Sequence, residues 1–572
     1  MRILGINFSN DSAASMIVDD RVTMAVQEER FRREKHFSGF PDQAVAACLK
    51  SAVPAGLNAP GLADLDAVAF FWNPAIHAAT PNWRMSTTPR HHMEFMYDVP
   101  NHLLPRVGPV PEVMEQVFHL DGGRRFRVYY VTHHLAHAAG ALFASPHTRA
   151  AILTVDGYGE RDATVIWSGS GTTLKRLWTR EFPHSLGSMY AAVTQFLGFK
   201  ANSGEGKVMG LASYGQPVYL DTFRKMCRLT DDGYELDLSW FSFFTERPVR
   251  YSDRFINEFG QPRKPESQIT KRDEDIAASL QAMLEEAILH LARLAKRLTG
   301  ETVLCMAGGV TLNCSANGRL LRDGPFEQYF FQPASGDAGT SLGAALYVNH
   351  CVQGRPRERA DMLLEYLGPR HTMDEVLDTL DKGGIEYLTP SDPWEVAGRL
   401  LAEGRIGSVF QGAAEFGPRA LGNRSTLSDP RPAVMKDRLN ASVKFREAFR
   451  PFAPSIHQHR ASEYFEGCDF SPFMLRVFQT RPEMLDQARA VTHVDGGARV
   501  QTVTREQNPN YFRLIESFER HTGTPMVLNT SFNIRGEPIV NSPSDAVKCY
   551  LTTGMDFLVL EDVLLIKNRS IL

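Results

Sequence analysis

The chain has 572 residues, of which 43% are hydrophobic and 22% charged, and its formal net charge is −4 at pH 7. This length exceeds what one hydrophobic core supports, so we expect at least two globular domains. The charge balance lacks the basic excess of a nucleic-acid-binding protein, and the longest apolar runs are too short or too charged to span a membrane. The stretch MRILGINFSND has too short an apolar run for a signal peptide.

The first predicted elements are two strands, ILGINF and SAASMIV, separated by the polar turn SND that contains Asp11. The same arrangement returns in AILTVDGYG, ERDATVIW and TLKRLW, with Asp156 and Asp162 in or beside the turn. Apolar strands around a tight polar turn are typical of a hairpin. The recurrence predicts a hairpin at the start of each of two related lobes, with chance similarity between two ordinary hairpins as the alternative.

Between these copies, VTHHLAHAAGALFAS predicts a helix with His133 and His137 four residues apart. This spacing places both imidazoles on one face of the helix, one turn apart. Such a pair is compatible with a metal site, and also with two histidines on an Ala-rich packing helix. No glutamate stands where an H-E-x-x-H metalloprotease needs one, which disfavours that chemistry.

The middle of the chain predicts a long amphipathic helix over residues 275–298, which Gly300 ends. The strand TVLCMA then leads into GGVTLNCSANGRL, a turn at Gly308 and Gly309 that enters a helix. Glycines there let backbone N–H groups approach a phosphate or ribose, although they are also ordinary turn residues. The strand EQYFFQP precedes ASGDAGTSLGAALYV, where Asp337 stands among small residues at a helix start.

A charged, proline-containing connector, CVQGRPRERADMLLEYL, predicts a domain boundary near residue 360. Beyond it a new α/β pattern begins with the helices DEVLDTLDKGG and PWEVAGRLLAEG and the strands IEYL and IGSVFQG. The sequence therefore predicts one domain at 1–360 and a second at 361–572. The seven cysteines are odd in number, scattered and lack a C-x-x-C pair, which predicts reduced thiols in a cytoplasmic protein and no structural zinc.

Six motifs follow one another in the order GEGKVMGLASYG, GGVTLN, GDAGTSLGAAL, EFGPRALGNRS, REAFRPFAPS and LNTSFNIRGEPIV. Together they resemble the nodulation-type and antibiotic O-carbamoyltransferases nearly end to end. The resemblance implies an α/β chain. The N-terminal domain is expected to have a two-lobed actin-like/ribonuclease-H-like ATPase fold, which is related to enzymes that make threonylcarbamoyladenosine on tRNA. The C-terminal domain is expected to be a YrdC-like α/β domain. The resemblance also implies two steps, in which carbamoyl phosphate and ATP give carbamoyl-adenylate and the carbamoyl group then passes to an acceptor hydroxyl.

The same resemblance implies a metal site. In that family the H-x-x-x-H pair and two aspartates bind iron, which corresponds to His133, His137, Asp156 and Asp337 here. Two imidazoles and two carboxylates suit Fe²⁺ or a similar divalent metal, and Mg²⁺ is a further expected companion of ATP. Such an ion can polarise the carbamoyl carbonyl or the adenylate phosphate as a Lewis acid.

The substrate contacts are implied by the resemblance as well. It places Lys444, Arg450 and Arg499 around carbamoyl phosphate, a small dianion that needs several cations in fixed geometry. Asn529 and Ser531 are implied to hydrogen-bond the carbamoyl end or the phosphate. The residues assigned to the nucleotide are Arg419, Lys207, Gly308, Gly309 and Asn313.

The first turn departs from the family pattern. Family members often have a His-Asp pair there, whereas this chain has Asn10 where the histidine would fall and keeps Asp11. The general base is therefore unassigned, with Asp11 as the leading candidate. Lys35 and His36, in ERFRREKH, match a family motif beside the transfer site and are expected to face phosphate.

The sequence thus predicts an ATP-dependent O-carbamoyltransferase that modifies a hydroxyl of a secondary metabolite, such as a glycosylated antibiotic. Two aromatic-rich stretches, 70–97 (with Trp83 and Phe95) and 239–255, are equally compatible with an acceptor pocket and with subdomain core. Two alternatives remain. A tRNA-modifying enzyme would need a basic docking face, and a non-catalytic nucleotide-binding regulator would need neither the cations nor the four metal-type ligands. No nucleic-acid or membrane partner is expected, and the oligomeric state is not predicted.

Overall fold

The structure is a computed structural model that describes residues 1–54, 57–79, 111–123, 125–245, 248–357, 365–447 and 449–571. Trp83 and Phe95, predicted for the acceptor pocket, lie outside the described residues. The described chain forms two compact units. The first combines Met1–Glu28 with the described residues from Ser38 to 357. The second combines Glu29–Phe37 with those from 365 to 571.

The first sheet of the first unit has the order β3-β2-β1-β4-β6-β5. Its strands are β1 (Arg2–Asn7), β2 (Ala13–Val18), β3 (Arg21–Gln27), β4 (Ala67–Phe70), β5 (Val113–His119) and β6 (Arg125–Val131). Strand β1 pairs antiparallel with β2 and parallel with β4, and β4 continues parallel to β6. An antiparallel hairpin is therefore joined to a parallel part through β1.

The second sheet of this unit repeats that pattern, with the order β13-β12-β7-β8-β9. The next strands in the chain are β7 (Arg149–Val155), β8 (Asp162–Ser170), β9 (Thr173–Glu181), β10 (Cys227–Thr230), β11 (Gly233–Leu236), β12 (Val303–Ala307) and β13 (Gln328–Phe331). Strands β10 and β11 form a separate hairpin, and the others form the second sheet. Strand β7 pairs antiparallel with β8 and parallel with β12. The two hairpins thus open two sheets of the same topology. This confirms the predicted α/β class and two-lobed repeat.

The first unit contains a set of α-helices, several of which pack on these sheets. They are Asp42–Ser51, Pro74–Ala79, His133–Phe143, Leu186–Phe196, Glu205–Ala212, Leu220–Met226, Asp253–Phe259, Lys271–Thr299, Cys314–Asp323 and Ala338–Tyr347. The long helix begins after the capping box of Thr270 and Asp273 and ends at Gly300, whose φ is 69°. Helix Ala338–Tyr347 packs against His133–Phe143 so closely that a Cβ at Gly343 would lie 1.9 Å from the Ala136 carbonyl oxygen. The small residues of GDAGTSLGAAL make this approach possible.

The aromatic stretch 239–255 forms core. Trp240, Phe241 and Phe243 are at most 4% exposed, and Phe255 is fully buried against Phe196. For this stretch the core interpretation therefore holds over the acceptor pocket. All seven cysteines are free thiols, and among the described helices none is long and apolar enough to cross a membrane.

The second unit contains a mixed sheet of order β19-β16-β20-β15-β14-β21-β22. Its strands, with a separate β17–β18 pair, are β14 (Gly407–Phe410), β15 (Arg424–Ser428), β16 (Ala453–His457), β17 (Val477–Gln479), β18 (Gly497–Arg499), β19 (Gln501–Val503), β20 (Met526–Ser531), β21 (Phe557–Leu560) and β22 (Val563–Ile566). The α-helices are Glu29–Arg32, Met373–Lys382, Pro393–Ala402, Val434–Leu439, Ala461–Tyr464, Leu485–Ala488, Pro509–Thr522 and Pro543–Leu551. The prediction that IEYL forms a strand is wrong, because Leu388 makes only an isolated bridge to Leu564.

Candidate functional sites

Four side chains of the first unit, defined here as the His/Asp cluster, point their donor atoms at one place. They are His133, His137, Asp156 and Asp337, and one donor atom of each lies within 4.8 Å of the others. The Asp156 Oδ2 atom lies 3.1 Å from His133 Nε2 and 2.9 Å from His137 Nε2. The two imidazole Nε2 atoms are 3.1 Å apart, and Asp337 Oδ1 is 3.7 Å from His133 Nε2.

Secondary structure positions each member of the cluster. The two histidines lie one turn apart on helix His133–Phe143, Asp156 directly follows β7, and Asp337 precedes helix Ala338–Tyr347. Both histidines are at most 2% exposed. Glu160, which sequence reasoning missed, accepts the His133 backbone N–H at 3.1 Å and the Asn73 N–H at 2.6 Å. A carboxylate at this helix N-terminus fixes where the histidine-bearing helix begins.

The charges in the cluster are strongly coupled. Burial lowers the pKa of the His133 imidazole, but the hydrogen bond with Asp156 and the charges of both aspartates outweigh it and raise the pKa to about 9. Burial lowers the pKa of His137. Burial and the charge of Asp156 raise the pKa of Asp337 to about 7, whereas the two histidine hydrogen bonds overcome burial and keep the pKa of Asp156 well below its ordinary range. The cluster therefore gathers negative charge that a cation can balance.

The donor set fits a metal ion. Four donors at about 2.1 Å from one centre lie roughly 3.0–3.4 Å from one another. The donor pairs that involve Asp156 and the two histidines fall near that range, at 2.9–3.1 Å. The two Nε2 atoms are 3.1 Å apart, so at most one ring can donate a proton to the other, whereas both can donate lone pairs to one metal ion. A set of two nitrogens and two oxygens suits a borderline divalent ion.

The predicted glycine turn lies against this cluster. A Cβ at Gly309 would lie 3.1 Å from Asp156 Oδ1, and one at Gly308 would lie 2.2 Å from the Val155 carbonyl oxygen. The Gly308 N–H donates to the Ser335 carbonyl oxygen at 2.9 Å, so that N–H is already used. The glycines thus let the chain pass close to Asp156.

The other two nucleotide residues predicted for the first unit also have local partners. Asn313 caps helix Cys314–Asp323 by accepting the Ala316 N–H and exchanges two 2.9 Å hydrogen bonds with Gln281. The Lys207 ammonium lies 5.4 Å from the centre of the Phe199 ring. A cap and a cation–π contact account for both residues without a ligand.

The first turn also reaches the His/Asp cluster. Ser9 Oγ donates to Asp337 Oδ2 at 3.3 Å, and Ser9 is itself held by Asn7, whose Oδ1 accepts the Ser9 N–H at 2.8 Å. Asp11 adopts a left-handed φ of 56°, and its charge helps to raise the pKa of Asp337. The Asn10 backbone oxygen accepts from the Asn7 side chain at 3.3 Å. The structure thus brings Asp11 near the predicted metal ligands.

In the second unit, Lys444 is buried among oxygen atoms. Its Nζ donates to the Ser531 carbonyl oxygen, to Ser531 Oγ at 3.2 Å, and to the carbonyl and side-chain oxygens of Asn533 at 2.9 and 2.8 Å. Lys444 is 3% exposed. The structure therefore brings together two residues predicted for carbamoyl phosphate, Lys444 and Ser531, and adds Asn533.

Several cations surround Lys444. Burial, followed by the charges of Arg446, Arg450 and Lys35, holds the pKa of Lys444 well below its ordinary value. Burial and the charges of Arg450 and Arg499 also lower the pKa of Arg446. We call these five residues the cation cluster. A buried lysine beside several other cations favours a bound anion.

Arg446 is the member of the cation cluster that sequence reasoning missed, although it stands in the quoted REAFR. Its Nε donates to Asn440 Oδ1 at 3.0 Å, and its guanidinium lies 4.5 Å from the centre of the Phe452 ring. The Arg499 Nε atom has no hydrogen-bond partner among the described residues. Arg446 is held in place by these contacts, and Arg499 has a donor available for a ligand. Two such guanidinium groups suit the binding of a phosphate group.

Asn529 lies on β20 of the second unit, and its amide nitrogen donates to the carbonyl oxygen of Ala420, the residue after Arg419, at 3.2 Å. The Asn529 amide nitrogen on β20 donates to Ser455 Oγ and Gln501 Oε1, both at 3.0 Å. Arg419 belongs to the loop between β14 and β15, at a half-buried position. Glu415, another residue not predicted, closes this loop by accepting the N–H groups of Leu421, Asn423 and Arg424 on Oε1 at 2.7, 2.9 and 3.1 Å.

The residues predicted to be catalytic are assigned to different units. Asp11 belongs to the first unit, whereas Lys35 and His36 lie in Glu29–Phe37, which belongs to the second. The His36 N–H donates to Glu29 Oε2 at 2.9 Å. Lys35 is exposed and contributes charge to the cation cluster. The sequence-based boundary near 360 did not indicate this early excursion of the chain into the second unit.

The fold is α/β, and each unit gathers ionisable side chains around buried residues, the two histidines in the first and Lys444 in the second. Residues 2–346 match the family model of the carbamoyltransferase N-terminus, and residues 398–567 match that of the carbamoyltransferase C-terminus. The chain therefore belongs to the carbamoyltransferase family.

Similar proteins support this membership. The nodulation protein NolNO of Sinorhizobium fredii is 39% identical, over 98% of this chain and 80% of that protein. The nodulation protein NolO of Bradyrhizobium diazoefficiens is 40% identical over 77% of this chain and 79% of that protein. The 3'-hydroxymethylcephem-O-carbamoyltransferase of Amycolatopsis lactamdurans is 29% identical over 77% of this chain and 81% of that protein.

Proposed function

We propose that this carbamoyltransferase is ATP-dependent and transfers the carbamoyl group to a hydroxyl oxygen. Water releases inorganic phosphate from carbamoyl phosphate and leaves carbamate. A carbamate oxygen then attacks the α-phosphorus of ATP, giving carbamoyl-adenylate and pyrophosphate. The acceptor hydroxyl oxygen attacks the carbamoyl carbon, its proton goes to a base, and AMP leaves.

The cation cluster of the second unit supports the first two of these steps. Carbamoyl phosphate brings a phosphate dianion, and Lys444, Arg450 and Arg499 would bind its oxygens, with Arg446 as an additional cation. Ser531 accepts a hydrogen bond from the Lys444 ammonium, and Asn529 lies on β20 together with Ser531. Arg419 would contact the phosphates of ATP, accompanied by Mg²⁺. In the first unit, Lys207, Gly308, Gly309 and Asn313 are proposed to contact the nucleotide in addition to the local partners described above.

The His/Asp cluster of the first unit supports the transfer step. His133, His137, Asp156 and Asp337 would hold Fe²⁺ or a similar divalent ion. When bound, such an ion polarises the carbonyl or phosphate oxygen it touches as a Lewis acid. Asp11, near Asp337, is the leading candidate for the base that takes the proton of the acceptor hydroxyl. Lys35 and His36 would face a phosphate group.

The acceptor is proposed to be a small secondary metabolite, such as a glycosylated antibiotic. The support is the family relative whose name states that it carbamoylates a hydroxymethylcephem. The buried stretch 239–255 does not add to this support, because its aromatic residues form core.

We further propose that the chain has two domains, near 1–360 and 361–572, with Glu29–Phe37 belonging to the second. We also propose a cytoplasmic location.

The observation that carries the proposal is the buried ammonium of Lys444 among arginines. Its test is to incubate the protein with ATP and carbamoyl phosphate without any acceptor and to measure pyrophosphate. Release that depends on carbamoyl phosphate is expected, and Lys444→Ala should abolish it. The matched control is Lys382→Ala, whose side chain is 77% exposed and should leave the rate unchanged. Carbamoyl phosphate-independent pyrophosphate release, or none, would contradict the proposal.

A further inference from the structure

A short early segment, Glu29–Phe37, belongs to the second unit although its neighbours on both sides belong to the first. It contains a one-turn helix, Glu29–Arg32, followed by Arg33 in a left-handed conformation with φ of 60°. Glu29 orders the segment from within, because its carbonyl accepts the Arg33 N–H at 3.0 Å and its carboxylate accepts the His36 N–H. We call this segment the strap.

Arg30 joins the strap to the loop that carries Arg419. Arg30 is 4% exposed, and its Nη2 donates to the Gly417 carbonyl oxygen at 2.7 Å. Glu415 holds the far side of the same loop through three backbone N–H groups. The loop with Arg419 is therefore fixed at one side by Glu415 and at the other by Arg30.

Arg33 joins the strap to the loop that orients Lys444. Its Nη1 and Nη2 donate to the carbonyl oxygens of Ile539 and Pro538 at 2.7 and 2.8 Å. This loop begins with Ser531 and Asn533, the partners of the Lys444 ammonium. Two hydrogen bonds from one planar guanidinium fix both the position and the direction of the two carbonyl groups, which a single donor cannot do.

We propose that the strap is a positioning element of the activation site, in which Arg30 orients the Arg419 loop and Arg33 orients the Lys444 loop. This rests on the proposed function, and it concerns how that site is held in shape. Arg30 donates to a carbonyl of the Arg419 loop and Arg33 donates to two carbonyls of the Lys444 loop, so each arginine is expected to act on one substrate. Arg33 Nε also lies 3.5 Å from Asp545 Oδ1. Removal of the Arg30 side chain should weaken the binding of ATP, and removal of the Arg33 side chain should weaken the binding of carbamoyl phosphate.

The test uses the full chain and the acceptor-free pyrophosphate assay, with each substrate varied in turn. Arg30→Ala should raise the KM for ATP by about tenfold or more, the usual effect of losing a hydrogen bond from a charged donor, and should change the KM for carbamoyl phosphate less. Arg33→Ala should show the reverse. The control is Arg32→Ala, because Arg32 is exposed on the same turn and contacts the Phe37 ring within the strap.

Conservative variants separate positioning from folding. Arg30→Lys and Arg33→Lys keep the charge and one donor, so each should show a smaller rise in the same KM and a near-normal melting temperature. Equal changes in both KM values, a loss of kcat alone, or unchanged kinetics in all four variants would overturn the proposal. An inactive wild-type protein would instead overturn the proposed function, so the two failures are distinct.

Discussion

Replacing His133 or His137 by Asn should remove most of the affinity for a divalent metal while leaving pyrophosphate release intact. Each imidazole supplies one of the four donors of the His/Asp cluster through its Nε2 atom, and the shorter Asn side chain has no donor atom at that distance from the backbone. The residues proposed to bind carbamoyl phosphate lie in the second unit, so we expect the activation reaction not to depend on these histidines. Transfer from supplied carbamoyl-adenylate should be blocked.

The expected loss can be bounded. Alterations outside the ligand shell cost about 10–100-fold in metal affinity, so loss of one of four protein ligands should cost at least about 100-fold, or about 2.7 kcal/mol. Asn within a helix costs less than about 1 kcal/mol in propensity, so the helix should persist. Titration with Co²⁺, followed through its visible absorption, measures the affinity, and elemental analysis of the purified variants measures metal content.

The matched control is His134→Asn on the same helix. His134 is buried like its neighbours, but its ring nitrogens lie 2.9 Å from Thr154 Oγ1 and 3.0 Å from the Asp162 carbonyl oxygen. This variant should lower the melting temperature and keep the metal affinity. Wild-type Co²⁺ affinity in both His133→Asn and His137→Asn would refute the metal assignment and leave the histidines as a packing pair.

Three further outcomes are expected. Lys444→Ala should abolish pyrophosphate release and leave metal content unchanged, which elemental analysis checks. Burial raises the pKa of Glu365 from 4.5 to about 7, so the folded state holds more protons between these values and stability falls as pH rises through them. Glu365→Gln cannot ionise and so removes this loss of about 3 kcal/mol in the free energy of unfolding. The melting temperature of the variant minus that of the wild type should therefore be larger at pH 8 than at pH 5, and the same difference at both pH values would contradict this prediction. Gly308→Ala should destabilise by about 2 kcal/mol or more, seen in thermal melts, because φ is +95° and the new Cβ would meet the Val155 carbonyl.

The sequence by itself determined the local elements. The apolar stripe over 275–298 gave a helix at Lys271–Thr299 that ends at Gly300, as predicted. The spacing of His133 and His137 fixed their common face, because helix geometry depends only on neighbouring residues. The repeated hairpin pattern predicted two related sheets for the same reason. The family motifs carried the carbamoyltransferase class.

Only the tertiary structure decided which distant residues meet. It brought Ser9 to Asp337 and Glu160 to the start of the histidine-bearing helix, and it buried the aromatic residues of 239–255 as core. It also assigned Glu29–Phe37 to the second unit, where Arg30 and Arg33 donate to carbonyls of remote loops. Periodicity and spacing describe contacts between residues near in the chain, whereas these contacts depend on how whole elements pack, and no local pattern encodes that packing.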